Sequence, residues 1–243
     1  MTDSLYLERL RQLSTRLVSL QKPIRILDAI KWPQGIEQGF RAHEGRELPA
    51  LESDFYQRQT LAFDAGNISQ LLKELKNDVR RQLGRDDALG KILQATIDQY
   101  QIVIELLLAR GTQQFGHFSK QLYGSASDNI RGDRKTLRQL GERLCNFFSL
   151  PAVEHLNRPY TNHINAEEAV RMLDGRMRDY FGADEVRVQI SDDIVSDASA
   201  GGDRIKINRR SHFSELDIQV LEVHEGWVHI GTTLNGREQP WAT

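Results

Sequence analysis

Residues 214–229 have the sequence SELDIQVLEVHEGWVH, and this stretch predicts an amphipathic helix. Ser214 with Asp217 three residues later approximates a capping box, which is typical of a helix start. The apolar residues that follow recur at the three- and four-residue spacing of one helix face. They are Leu216, Val220, Val223 and Trp227. We expect this stripe to pack against a neighbouring layer of the fold.

The same helix carries two histidines and a glutamate, at His224, Glu225 and His229. Neutral imidazoles are zinc ligands, and a carboxylate beside them can take a proton from the attacking water in a zinc hydrolase. The histidines are five residues apart, so a regular helix would separate them by about 140°. A wide turn of π type would return both to one face, and Gly226 lowers the resistance to it. The spacing alone leaves open a half-buried helix whose histidines cap carbonyls or face solvent.

The residues before this helix predict another helix followed by a small sheet. Residues 166–181 have helical periodicity, with Asn165 as N-cap and Gly182 as the stop. Residues 186–190 and 204–208 alternate apolar and polar side chains, which indicates two half-buried strands. The sequence therefore predicts strand, strand and helix in this order.

The first two thirds of the chain favour helices. Helical periodicity covers residues 5–20, 68–83, 88–109 and 135–148, whereas prolines and glycines predict mostly irregular chain up to about Glu52. We therefore expect an α+β fold, with an amino-terminal helical layer followed by a small sheet and a zincin-like motif helix. We interpret residues 1–158 as a mainly helical region and residues 159–243 as the strand-strand-helix front half of a catalytic unit, and we expect the two to form one continuous domain.

Composition restricts the function. The 243 residues carry 32 Lys and Arg against 34 Asp and Glu, so no global basic field favours nucleic acid or an anionic membrane as a partner. The amino end lacks the basic flank and apolar run of a secretory signal, which predicts a cytoplasmic protein. Cys145, the single cysteine, lies in an apolar helical pattern and is predicted to be a buried structural thiol.

Two blocks of the sequence resemble a known family. The run HEGWVHIGTTLNG at residues 224–236, closing on Gln239-Pro240-Trp241, is similar to the HExxxH proteins named for their QEGLA motif. That family includes bacterial proteins described as modulators of flavohaemoglobin expression, and the eukaryotic tubulin tyrosine carboxypeptidases. The block PIRILDAIKW at residues 23–32 resembles the bacterial members.

The resemblance implies a zinc metallopeptidase with carboxypeptidase-like action on a peptide or protein carboxyl terminus. His224 and His229 match the zinc ligands, and Glu225 matches the general base. The family's third ligand is the glutamate of the QEGLA motif, which does not occur in these 243 residues. We therefore expect a truncated open reading frame whose product is inactive as it stands. Glu238 is a conceivable substitute ligand, but it follows the motif by only nine residues, which disfavours it.

Other polar residues have simpler interpretations. His43-Glu44 repeats the dipeptide without a second histidine, which favours a solvated loop. A carboxylate cluster around the strand connection is compatible with calcium, but its spacing does not fit an EF-hand loop, so a solvated turn is favoured. That cluster comprises Asp192, Asp193, Asp197 and Asp203. The remaining histidines, which stand singly, are interpreted as structural or surface residues. They are His117, His155, His163 and His212.

Two further features bear on substrate binding. Arg209, Arg210 and Arg237 flank the motif helix and are able to bind a terminal carboxylate, although a solvent-facing role is favoured for each. The small residues at 198–200, Ala-Ser-Ala, fit either a plain loop or an edge strand that pairs with a peptide.

Two hypotheses of function follow. The first is a zinc-dependent carboxypeptidase-type hydrolase, and the second is a non-catalytic regulatory or interaction protein. Zinc content distinguishes them, because the regulator requires no metal.

Overall fold

The computed structural model describes residues 2–49, 51–52, 54–153, 160–194 and 196–241. The described chain forms two compact units, one reaching to Gly141 and the other covering Glu142–Pro240. Helices dominate, and one three-stranded sheet accompanies them, which confirms the predicted α+β class.

The first unit consists of helices. They are α1 (Thr2–Gln21), α2 (Ile26–Ile30), α3 (Gln34–Ala42), α4 (Ala65–Leu83), α5 (Ala88–Leu108) and α6 (Gln113–Tyr123). Asp64 and Asp87 cap α4 and α5 by accepting backbone N–H groups of Asn67 and Gly90. The three predicted long helices are confirmed. Short α2 and α3 occupy chain predicted to be irregular, and α6 was not predicted.

Leucine, isoleucine and valine side chains of α1, α4 and α5 form the core of this unit. Its fully covered members include Leu13, Leu72, Leu75, Val79, Ile97 and Leu107. They recur at helical spacing in the sequence, so one apolar face of each helix is removed from water. The apolar spacing was therefore sufficient to predict these helices.

A buried arginine joins distant parts of the first unit. Arg110 is 6% exposed, and its guanidinium donates to the carbonyl oxygens of Leu107 (2.7 Å), Ala29 (2.6 Å) and Gln59 (2.9 Å). Burial lowers the pKa of Arg110, but an arginine stays charged in proteins. Because Ala29 lies in α2, the hydrogen bond from Arg110 connects residues 23–32 to the end of α5.

The second unit contains helix α8 (Ala166–Phe181), which begins and ends as predicted. The Asn165 side chain accepts the Glu168 N–H, and Glu168 accepts the Asn165 N–H in return, which completes a capping box. Gly182 follows with φ 102°, a backbone conformation that favours glycine.

Three strands form the sheet in the order β1-β3-β2. They are β1 (Arg187–Ser191), β2 (Ala198–Gly201) and β3 (Arg204–Asn208). Central β3 pairs parallel with β1, so that Val188 lies opposite Ile205, and antiparallel with β2. The two predicted strands are confirmed. The Ala-Ser-Ala segment, for which loop and strand were both open, is a strand at the edge of this sheet.

Helix α7 (Leu137–Phe148) contradicts one expectation. The helix forms as predicted, but its apolar side chains are 39–48% exposed in the described structure. These are Leu137, Leu140, Leu144, Phe147 and Phe148. Cys145 is exposed with them, so the predicted buried thiol is wrong. The amphipathic spacing predicted the helix correctly, but such spacing does not determine whether another element packs against the apolar face.

The last helix runs continuously through α9 (Glu215–Leu221), a π segment (Glu222–Ile230) and α10 (Gly231–Arg237), and we call residues 215–237 the motif helix. Its predicted inward stripe is wrong. Leu216, Val220, Val223 and Trp227 are 39–55% exposed, and Ile218 and Ile230 are fully buried in the core instead. The helix carries two apolar stripes, and the wide turns bring the second one onto the sheet and α8.

No helix among the described residues is long and apolar enough to cross a membrane. This holds for the buried helix α5 as well as for the motif helix.

We expect Arg110→Lys to lower the free energy of unfolding by about 3 kcal/mol, because a lysine cannot reach three carbonyl groups and leaves buried acceptors unpaired. Urea denaturation of the purified protein measures the loss. Arg16→Lys is the matched control, since Arg16 forms an exposed ion pair with Asp78 and should change stability by less than about 1 kcal/mol. Equal effects of the two substitutions would contradict the proposed role of Arg110.

Candidate metal centre

The motif helix starts at a complete capping box. The Ser214 hydroxyl accepts the Asp217 N–H at 3.2 Å, and the Asp217 carboxylate accepts the Ser214 N–H at 2.8 Å. Ser214 is buried, so these bonds satisfy backbone groups that water does not reach. The predicted helix start is therefore confirmed.

The wide turn predicted between His224 and His229 is present. Residues Glu222–Ile230 form a π-helix, and at its end the Gly231 N–H donates to the Gly226 carbonyl, five residues earlier. At about 4.4 residues per turn, residues five apart differ by about 50° rather than 140°. Both histidines consequently lie on one side of the helix.

The buried side chains explain why this turn is wide. Ile218 and Ile230 belong to one apolar core, and each has no exposed surface. In a regular α-helix, twelve residues would place them about 120° apart, whereas the observed mixture of turns reduces this to about 25°. Burial of both isoleucines therefore requires the extra residue that the π segment accommodates.

Three donor groups come together on this segment. The Nε2 atoms of His224 and His229 are 3.2 Å apart, and the His224 Nε2 is 3.8 Å from Oε1 of Glu225. One ligand atom from each residue lies within 4.8 Å of the others, and this is the group of potential metal donors found among the described residues. The Glu225 side chain is 10% exposed, whereas that of His224 is 62% exposed.

The spacing of the imidazoles fits zinc. Two nitrogens bound at about 2.0–2.1 Å with tetrahedral angles are separated by about 3.3 Å, close to the 3.2 Å between these Nε2 atoms. Each Nε2 would be available to a metal in the neutral tautomer protonated at Nδ1. The donor set of two imidazoles with an adjoining carboxylate is also one that zinc prefers over calcium or magnesium.

A family model described as "Microtubule-associated tyrosine carboxypeptidase" matches residues 38–243, which is most of the chain. The chain belongs to this family. The matched residues include the motif helix and the whole second unit, whereas the resemblance seen at residues 23–32 lies outside them. Comparison with curated proteins and with solved structures gives no match.

Glu238, the other acidic residue considered as a metal ligand, lies away from the two histidines. Glu238 directly follows α10, and nine residues of helix separate it from His229, which amounts to about 13 Å along the axis. It is not part of the donor group among the described residues.

The acidic residues around the strand connection are engaged in local contacts. Asp192 accepts from Arg209, and Asp197 accepts from the Ser211 hydroxyl at 2.6 Å. Asp203 pairs with neighbouring Arg204. In the described ranges these carboxylates do not assemble a group of metal donors, which agrees with a solvated turn rather than a calcium site. Val195 lies outside the described residues.

The lone histidines stay apart from the site. His43 is exposed after α3, with its Nδ1 2.8 Å from the Gly39 carbonyl oxygen, in agreement with the predicted surface position. His163 makes a similar contact with the Thr161 carbonyl oxygen at 3.0 Å. His117 and His212 do not join the donor group in the described part of the chain. His155 lies outside the described residues.

The three arginines near the motif helix differ in their surroundings. Arg209 pairs with Asp192 and Glu167, and the hydrogen bond that it donates to Asp192 raises the pKa of its guanidinium. Arg210 is exposed, and its backbone N–H donates to Asn208. The Arg237 guanidinium reaches the turn after β2, with Nη2 3.6 Å from where a Cβ of Gly202 would lie. Of the three, Arg237 is therefore next to the end of the edge strand.

The motif helix also has two contacts that the sequence did not reveal. Arg176 of α8 forms an ion pair with Glu222, and Met177 packs against Gly226. Gly226 was expected only to ease the distortion of the helix. The spacing of Ala169, Leu173 and Met177 indicates a buried face of α8, but it does not identify the residue of another helix that this face contacts. A single sequence therefore could not reveal either contact.

We expect Ile230→Ala to lower the free energy of unfolding by about 3 kcal/mol, because it removes a fully buried side chain from the core. Val228→Ala is the control in the same π segment. Val228 is 51% exposed, so its truncation should change stability by less than about 1 kcal/mol. Chemical denaturation distinguishes the two. A larger effect at Val228 would indicate a regular helix in place of the wide turn.

Proposed function

We propose that this protein holds zinc through His224 and His229 and uses Glu225 as general base to hydrolyse a peptide bond near a carboxyl terminus. The observation that carries the proposal is the 3.2 Å separation of the two Nε2 atoms on a π segment. The family's name supplies the reaction class, since it describes a tyrosine carboxypeptidase. A peptide or protein carboxyl terminus is accordingly the proposed substrate.

The bound metal and Glu225 have different roles in the proposed hydrolysis. Zinc, when bound, supplies Lewis acidity and lowers the pKa of water to about 7. The Glu225 carboxylate lies beside the histidines at a largely water-excluded position, where its acceptor oxygens can take a proton from the attacking water. The water oxygen bonds to the peptide carbonyl carbon, the C–N bond breaks, and Glu225 returns the proton to the leaving amine.

Edge strand β2 offers a place to align the peptide. It pairs with β3 on one side, and no strand of the described residues pairs with its other side. It also lies against the π segment. Main-chain groups of such an edge bind an extended peptide, and the small side chains of Ala198, Ser199 and Ala200 permit close approach. We therefore propose β2 as the strand along which substrate lies.

We expect zinc titration to test the metal site directly on this chain. Competition with a chromophoric chelator should give a dissociation constant for the wild type, and His224→Ala or His229→Ala should weaken binding at least about tenfold. His163→Ala is the matched control, because this exposed histidine lies outside the donor group and should leave affinity unchanged.

The titration also separates the two classes of function. Wild-type protein that binds zinc no better than the His224→Ala variant would contradict the proposed metal site. The same result in a protein extended by a segment with the family's QEGLA glutamate would favour the regulatory or interaction protein. The family's QEGLA motif has no counterpart in these 243 residues, so metal affinity is a better first measurement on this chain than hydrolysis.

We expect Glu225→Gln to retain zinc and lose catalysis. Glutamine keeps the size and much of the hydrogen bonding of glutamate but cannot accept the proton, so hydrolysis should fall about a hundredfold to ten-thousandfold. The rate is measured on peptides with varied carboxyl-terminal residues, in a protein that joins this chain to a segment carrying the family's QEGLA glutamate. Equal rates for Glu225→Gln and the wild type would exclude Glu225 as the base.

A further inference from the structure

Gly226 of the motif helix lies close against Met177 of α8. A Cβ atom at this position would lie 2.6 Å from the Sδ and 2.7 Å from the Cε of Met177. Both residues are buried, and Met177 has no exposed surface. The backbone of Gly226 has no positive φ, so glycine is needed here for space rather than for conformation. A larger side chain requires either the end of the Met177 side chain or the π segment to shift.

Gly226 also belongs to the hydrogen bonding that makes the turn wide. It lies between His224 and His229, and its carbonyl accepts the Gly231 N–H five residues later. Displacement of this peptide away from α8 therefore changes the turn on which the second histidine is carried. The packing of Met177 is in this way coupled to the spacing of the two imidazoles.

A second contact from α8 holds the start of the π segment. Nη1 of Arg176 lies 2.5 Å from Oε2 of Glu222, and the side chains are 35% and 22% exposed. Partial burial makes such a pair stronger than an exposed one, since water and salt screen it less. Arg176 and Met177 are adjacent in α8, so one turn of this helix contacts the π segment at residues 222 and 226.

We propose that Arg176 and Met177 are positioning residues, which hold His224 and His229 at metal-ligating separation through Glu222 and Gly226. The inference rests on the proposed function, because it concerns the affinity of the same two histidines for zinc. The residues of α8 contact neither the metal nor the substrate in this assignment. They select the helical geometry that brings the imidazoles together.

The test is zinc affinity of the intact chain, measured by chelator competition, with far-UV circular dichroism as a check of folding. Gly226→Ala should weaken zinc binding by about tenfold to a hundredfold, as loss of a supporting contact around a metal site typically does. Gly231→Ala is the matched control. It lies in the same helix, next to the ligand segment, and its Cβ would meet only ordinary contacts at 3.8 Å and beyond.

A compensating variant distinguishes positioning from general damage. Met177→Ala removes the atoms that a Cβ at residue 226 would meet, so the double variant Gly226→Ala/Met177→Ala should recover zinc affinity to within about threefold of Met177→Ala alone. If Gly226→Ala does not fold, Arg176→Gln decides the matter. It should weaken zinc binding at least about threefold, whereas Arg178→Gln, which breaks an exposed pair with Asp174 on the same helix, should not.

The possible results are separable. Wild-type affinity in folded Gly226→Ala, or equal affinities for Arg176→Gln and Arg178→Gln, would overturn the positioning role while leaving the zinc site intact. Absence of zinc binding by the wild type would overturn the proposed function and this inference together. Weakened binding in Gly226→Ala with recovery in the double variant supports both.

Discussion

The simultaneous burial of Ile218 and Ile230 in one core is the constraint on which the site depends. A regular α-helix would direct these side chains about 120° apart, and one of them would face water. Fully exposing an isoleucine forfeits about 1.5–3 kcal/mol, and this burial term favours the distorted helix. The resulting wide turns bring His224 and His229 to one side. Packing of apolar side chains therefore produces the geometry of the polar ones.

The distortion is supported on several sides within the second unit. The capping box at Ser214 fixes the start of the motif helix, and helix α8 contacts it at Gly226 and Glu222. Edge strand β2 lies against the same segment. Each of these contacts stabilises the helix in one register. Long π segments are rare because their hydrogen bonds and packing are poorer, so they persist where surrounding structure stabilises them, frequently at functional sites.

Much of this arrangement could be predicted from the sequence, and the failures have physical reasons. The five-residue histidine spacing implied a wide turn, since no regular helix aligns residues five apart, and capping residues marked the starts of α8 and the motif helix. The inward face was predicted wrongly because two apolar stripes share the helix, and a regular period was used to choose between them. Strand β2 was left open because alanine, serine and glycine have no strand propensity, so that pairing with β3 decides its structure.

The same geometry accounts for the position of Glu225. On a regular helix, His224, Glu225 and His229 would span an arc of about 140°, with Glu225 about 100° from His224 and about 40° from His229. Turns of about 4.4 residues compress this arc to about 80°, with His229 between the other two. Glu225 can then be largely buried while its oxygen is 3.8 Å from a histidine nitrogen. The wide turn thus aligns the two imidazoles and gathers them with the buried carboxylate into a narrower sector of the helix.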